Sequence, residues 1–365
     1  MQLNLTLRSE HFNPEMLMVR RYLLKMNQAF LAQRAGLSQG HLSKIEQGLL
    51  LPTADVQARL AQALDCPESF FLQSDRVYGL PISVHPMFRK RASVGQKELD
   101  RIQAELNFRI MHIRRLLQAA DFEGEFPLPH LDLDDYQDDI EEIANLTRRT
   151  WLLPRGPLQN LTEAVERAGC LVIHCDFQEA QVDGVTLAVP GLPPCIFLNA
   201  AQPADRMRFS LAHELGHLVM HRIPNPEMEE QANHFAGAFL MPAADIASQL
   251  SGISLPRLAE LKPHWRVSMA ALLMRAETLG KVTANQKQYL WRQISAAGYR
   301  RREPVELDFA PESPSVLPEM IRLHLEDLGY SLRELSTALH LHEHEFRRYY
   351  RVGGGHLRIV KGLGL

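Results

Sequence analysis

Two histidines four residues apart, His213 and His217, enclose Glu214 in a His-Glu-x-x-His run, a set suited to metal-assisted hydrolysis. On an α-helix, positions four apart share a face, so both imidazoles can converge on one cation. The carboxylate beside the first His projects to the side of the pair, where it can take a proton from an attacking water. With 16 His in 365 residues, chance would place such a run here only about 0.04 times. The neighbouring Phe209, Leu211, Leu215, Leu218 and Val219 are apolar, as a buried site helix requires.

A hydrolytic zinc site takes three protein ligands and leaves one position open. The third ligand is expected on a second helix, whose apolar side is Ala232, Phe235, Ala236, Phe239 and Leu240 and which ends at Met241-Pro242. Residues 222–226, with two prolines, make the turn before it. Glu229 is the preferred ligand, because Asn233 lies one turn further on the same face and can hydrogen-bond a ligating side chain from behind. Glu230 is the next choice, and Glu227 reads as a first-turn residue favoured by the helix dipole. His221 extends the histidine row, but His213 and His221 would lie about 12 Å apart along an unbroken helix. His221 is therefore expected in a supporting or surface place, and His234 in a structural one.

The run from Arg206 through His213 and His217 to His221, followed by Glu229 to Pro242, resembles the ImmA/IrrE family of zinc metallo-endopeptidases. The resemblance extends over residues 138–305. Helices at 140–151 and 161–169 and strands at 170–174 and 195–199 fit it, as do the segments starting at Trp265 and Arg275. It implies zinc held by His213, His217 and Glu229, with Glu214 as the catalytic base and a protein as substrate.

A second pattern lies near the start. Asn27 can cap a short helix whose inner face holds Leu31 and Ala32, and Gly36 ends it with a tight turn. Ser38 then caps another helix with Leu42 and Ile45 inward and Gln39, Gly40, His41, Ser43 and Lys44 outward. Such a polar outward set suits base edges and phosphates of duplex DNA. Arg20, Arg21, Lys25, Arg34 and Lys44 against Glu46 make this part positive.

Residues 15–72, with the Leu31-to-Gln39 core and the Ser43-to-Gly48 ending, resemble the Xre type of helix-turn-helix. By that resemblance Gln28 would touch phosphate, and Gln39 and Lys44, with His41 and Ser43 beside them, would face bases. A homodimer on a twofold operator is the accompanying expectation.

A charged fraction of 23% and a hydrophobic fraction of 45% are those of a folded globular chain, and the length supports two or three domains. The net charge of -3 hides segregation: Arg89-Lys-Arg through Arg115 is basic, and Asp121 to Glu142 is acidic. The acidic stretch reads as a solvated connector and helix start, or as a patch that repels or imitates DNA. The four cysteines have no CxxC spacing, and Cys170, Cys175 and Cys195, on or near expected strands, read as buried thiols in a reducing cytosol. No apolar run approaches a membrane span.

The expected fold is mainly α with a smaller α+β part. It comprises a helix-turn-helix domain at 1–75, a helical connector at 76–135, a zincin-like metallopeptidase domain with a small sheet at 136–310, and C-terminal helices at 311–365. Residues 1–13 alternate as a strand or arm. The stripe Leu99, Ile102, Leu106, Ile110, Ile113 and Leu117 makes a long helix whose apolar side is core or, slightly preferred, a dimer seam. Glu312 to Pro318 reads as a Pro-rich linker. The helices after it read as a cap on the peptidase part or a faint second helix-turn-helix. The function expected is a cytosolic DNA-binding regulator that cleaves itself or a partner regulator. The alternative is a repressor or antitoxin-like protein whose metal domain senses a ligand without turnover.

Overall fold

Asn13 caps the first helix with its side chain, accepting from Glu15 N at 3.0 Å, and Pro14 supplies a fixed φ where no donor is needed. This computed structural model describes residues 12–80, 95–177, 182–300 and 302–350. The expected N-terminal arm, save its last two positions, and Arg89-Lys-Arg lie outside the described residues. Among the described residues the chain is mainly α with one three-stranded sheet, and it forms two compact units. Among the described residues, no helix is long and apolar enough to cross a membrane.

The first unit takes residues 12–79, 95–121 and 318–350. It opens with α1 (Pro14–Leu23), α2 (Gln28–Arg34), α3 (Gln39–Glu46) and α4 (Ala54–Ala63), each with a side-chain N-cap from Asn13, Asn27, Ser38 and Thr53. Leu17, Leu31, Leu42, Ile45 and Leu60 fill its centre. Next comes α5 (Gln96–Leu116), which packs along α1. Ile102, Leu106, Ile110 and Ile113 are fully buried within this chain, and so are Phe108 and Met111 on the other side of the helix. Of the two readings of the stripe, core or dimer seam, the slightly preferred seam gives way to intrachain core. Its period fixes which side is apolar, but the partner that covers it comes from elsewhere in the same chain.

The second unit holds residues 122–317. Its helices α6 (Ile140–Thr150) and α7 (Leu161–Arg167) precede a sheet of β1 (Leu171–Cys175), β2 (Gly184–Leu187) and β3 (Cys195–Asn199). Strand order is β1-β3-β2, with β1 parallel to β3 and β2 antiparallel to it, Gly184 opposite Leu198. Helices α8 (Ala204–Met220) and α9 (Met228–Leu240) follow, then α10 (Ala243–Ile246), α11 (Leu255–Trp265), α12 (Met269–Thr278) and α13 (Ala284–Ala296). The sheet supports α8, which lies against β2 and β3, while α9 packs between α8 and α6.

Ion pairs lock these helices in place. Buried Lys262 of α11 binds Asp205 in the first turn of α8 and Glu303 at 2.8 Å. Arg275 of α12 and His234 of α9 both hold Glu141 of α6, His234 at 3.0 Å. Burial alone would raise the Glu141 carboxyl; the hydrogen bonds from Arg275 and His234 outweigh it and hold it at about 2. His234 is thus placed in a structural pairing. In the acidic stretch, Asp139 caps α6 through Glu142 N at 3.0 Å.

The Pro-rich segment after residue 311 is not free. Glu312 accepts from Thr162 N at 2.7 Å and pairs with buried Arg208, and Glu166 accepts from Ser315 N at 2.9 Å. After α14 (Val316–Arg322), α15 (Leu332–Ala338) and α16 (Glu343–Tyr350) belong to the first unit. Glu345 of α16 pairs with Arg20 of α1 at 2.6 Å, and Tyr349 packs on Phe108 of α5 with ring centroids 5.0 Å apart. The C-terminal helices therefore cover the helix-turn-helix unit. The segment expected as one connector is likewise shared, with 95–121 in the first unit and 122–135 in the second.

Candidate functional site

Helix α8 brings His213 and His217 together as its period requires: their Nε2 atoms face each other 3.1 Å apart, and both side chains are buried. Glu229, in the first turn of α9, completes the group. Its Oε2 lies 3.6 Å from His213 Nε2 and its Oε1 3.4 Å from His217 Nε2. All three donor atoms fall within 4.8 Å of one another. Glu230 is exposed beside it, and Glu227 is the exposed residue just before α9, so neither joins the group.

The far side of each imidazole fixes its proton. His213 Nδ1 lies 3.1 Å from Asn233 Oδ1, an oxygen that only accepts, so in the neutral ring Nδ1 carries the hydrogen and Nε2 a lone pair. His217 is set through a relay. Gln231 Oε1 accepts from His221 Nε2 at 2.9 Å, which leaves His221 Nδ1 to accept from His217 Nδ1 at 3.0 Å. His217 Nε2 then also presents a lone pair.

Two Nε2 atoms facing each other at 3.1 Å, beside a buried Glu229 Oε1 with no hydrogen-bond partner, form an arrangement that a bound cation would satisfy. The donor set of two imidazoles and a carboxylate fits zinc.

Charge follows the same geometry. Burial opposes ionisation of Glu229, yet the two imidazoles outweigh it and hold the carboxyl at about 2. Burial also works against charge on His213, and Glu229 and Glu214 reverse it, so its pKa is raised. His221 is pushed down to about 4, by burial first and by the other imidazoles next. It is kept neutral, as its place in the relay demands. It can take that place because α8 ends at Met220 and the His221 backbone turns out of the helix at φ -110 and ψ 86.

Glu214 points to the sheet. Its Oε2 accepts from Thr186 Oγ1 of β2 at 2.7 Å. A Cβ on Gly184 of the same strand would approach Glu214 Cγ to 3.1 Å, so the glycine makes room for the carboxylate. Gly216, inside the motif, serves α9 in the same way: an added Cβ would meet Phe235 at 3.0 Å. That close approach of α8 and α9 sets how near Glu229 comes to the histidines. A cavity of about 1430 Å³, lined in part by Phe209, Glu229, Asn233, Met274 and Trp291, adjoins the group.

Thr186, Gln231, Gly184 and the relay through His221 were not read from the sequence. Strand β2 has four residues and starts at a glycine, too little for an alternation signal. Gln231 matters only because His221 leaves its helix.

In the first unit, α3 leaves Gln39, Gly40 and Lys44 exposed and His41 and Ser43 half-buried. Gln28 departs from expectation: its amide donates to Glu46 Oε2 at 2.8 Å, so one of its two hydrogens is held inside the protein. Arg20 and Arg21 also depart. Both are buried in ion pairs, Arg21 with Glu46 and Arg20 with Glu345, so they add nothing to a surface potential. The exposed positive charge of this part comes from Lys25, Arg34 and Lys44.

Comparison with family models gives two matches. Residues 165–277 match the IrrE N-terminal-like domain of the M78 peptidase family, and residues 17–71 match the helix-turn-helix family. An Xre-like helix-turn-helix is joined here to an IrrE-like domain. The IrrE-like match takes in β1 to β3, α8 and α9, and hence every residue of the candidate metal group. Helix α6, which positions α9 through Glu141, lies outside it. No curated protein matches the chain closely enough to count as a relative.

Proposed function

We propose that this protein is a DNA-binding transcriptional regulator whose IrrE-like domain is a zinc-dependent endopeptidase, acting on itself or on a partner regulator. The observation that carries the reading is the pair of facing Nε2 atoms with the orphaned Glu229 oxygen beside them. His213, His217 and Glu229 would hold the ion, Asn233 and His221 orienting the two imidazoles. When bound, zinc would supply a Lewis acid for a peptide carbonyl and for the attacking water.

Glu214 takes the proton of that water and returns it to the leaving amine, and Thr186 fixes the carboxylate for both transfers. Among the described residues β2 is an edge strand of the sheet, so an extended peptide can add alongside it and pass Glu214. An extended strand of substrate suits cleavage within a protein. Four buried free thiols fit a reducing cytosol.

Elemental analysis of the full chain purified without added zinc tests the site. About one zinc per chain is expected for the wild type, and little or none for Glu229→Ala. A wild type that takes up no zinc even when it is supplied would reduce the second unit to a scaffold.

Duplex operator DNA is the proposed nucleic-acid partner, and a homodimer its proposed form, by the twofold logic of helix-turn-helix sites. The exposed run Leu49, Leu50 and Leu51 just after α3 is apolar surface that a second copy could cover. Sedimentation of the protein on operator DNA should give two chains per site; one chain per site would refute the dimer.

A further inference from the structure

The C-terminal helices repeat the backbone of the helix-turn-helix position by position. Both pairs have a first helix of seven residues, α2 and α15, and after four residues the second helix starts, α3 at Gln39 and α16 at Glu343. Ser331 caps α15 as Asn27 caps α2, each accepting from the amide three residues on. The residue that ends the first helix has the same backbone, φ -88 and ψ 0 at Ala35, φ -89 and ψ 4 at Leu339. The next is left-handed in both, Gly36 at φ 65 and His340 at φ 55.

The turn hydrogen bonds agree as well. Leu37 N donates to Ala32 O at 2.8 Å and Leu341 N to Ser336 O at 2.9 Å. Leu42 N donates to Ser38 O at 3.1 Å and Phe346 N to His342 O at 3.0 Å. Leu31, Ala32 and Leu42 are buried, and so are their counterparts Leu335, Ser336 and Phe346.

We propose that α15 and α16 form a second helix-turn-helix that anchors duplex DNA by its phosphates through Arg347 and Arg348. These two stand where α3 has Ser43 and Lys44, on the outward side. The Arg348 side chain is 69% exposed, with a loose 3.6 Å contact to Glu345, and Arg347 is exposed with no ion pair among the described residues. The first turn of α16 carries exposed Glu343, and His344 there pairs with Asp65. A carboxylate at the end that usually enters the groove opposes deep insertion. The contact is therefore to backbone phosphates, which position a protein without reading sequence.

This rests on the first helix-turn-helix binding DNA, and the arms of the test separate the two. Affinity of the full chain for a labelled mixed-sequence DNA duplex is measured between about 50 and 200 mM salt. The Arg347→Ala/Arg348→Ala variant should weaken binding and reduce the log-log salt slope by about 2. Lys44→Ala should reduce it by about 1. Unchanged melting of both variants checks that they fold. A double arginine variant with the wild-type slope, while Lys44→Ala still loses its share, overturns the proposal and leaves the first motif standing. A wild type that does not bind the duplex overturns both.

Discussion

Glu214→Gln should slow peptide hydrolysis by about 10²- to 10⁴-fold, the usual contribution of a positioned general base. Zinc content and DNA affinity should stay at wild-type levels. The amide is isosteric with the carboxylate, so its oxygen can still accept from Thr186 Oγ1, and the space left by Gly184 is filled as before. The group lost is the one that takes a proton. Glu214 is not among the three side chains that converge on the cation position, so metal uptake does not depend on it. Turnover of an unstructured casein by the full chain provides the rate, and a reporter under the protein's own operator provides the regulatory readout. Hydrolysis undiminished in the variant removes Glu214 from the chemistry. Hydrolysis lost with regulation unchanged would leave a peptidase whose activity does not drive the switch.

The candidate metal group was legible because its logic is local. His213 and His217 are one helical turn apart, and Glu229 and Asn233 are one turn apart on the next helix, so the 3.6-residue period alone aligns them. What the period could not show is which long-range partner each residue meets. Arg20 and Arg21 count as surface charge in the sequence, yet each is consumed by a carboxylate, one of them on a helix at the other end of the chain. The α5 stripe announces an apolar side without saying whether its cover comes from the same chain or another. The second helix-turn-helix was faint for a different reason. Its left-handed turn residue is His340 rather than a glycine, so the usual turn signal is missing, while the capping box of Ser331 and Glu334 keeps the helix start.

Glu345→Ala should destabilise the first unit by about 3–5 kcal/mol, the cost of breaking a buried ion pair from one side. Arg20 and Glu345 are each only 2% exposed and meet at 2.6 Å. Arg20 also donates to Leu64 O at 3.0 Å and Asp65 O at 2.5 Å, so its guanidinium is held in place and cannot swing to water. Taking the carboxylate away leaves a buried cation with carbonyl partners alone. Arg20→Met combined with Glu345→Leu should recover most of the loss, because apolar side chains of similar volume replace the pair without leaving a charge behind. Trp151, Trp265 and Trp291 all belong to the second unit, so tryptophan fluorescence is blind to this change. Amide exchange in α1 and α16 is the measurement that sees it, with protection falling by about two to four orders of magnitude if those helices open together. Protection in Glu345→Ala within a factor of about 2 of wild type would mean that Arg20 reaches solvent, and that the C-terminal helices are held by their buried apolar side chains and remaining hydrogen bonds.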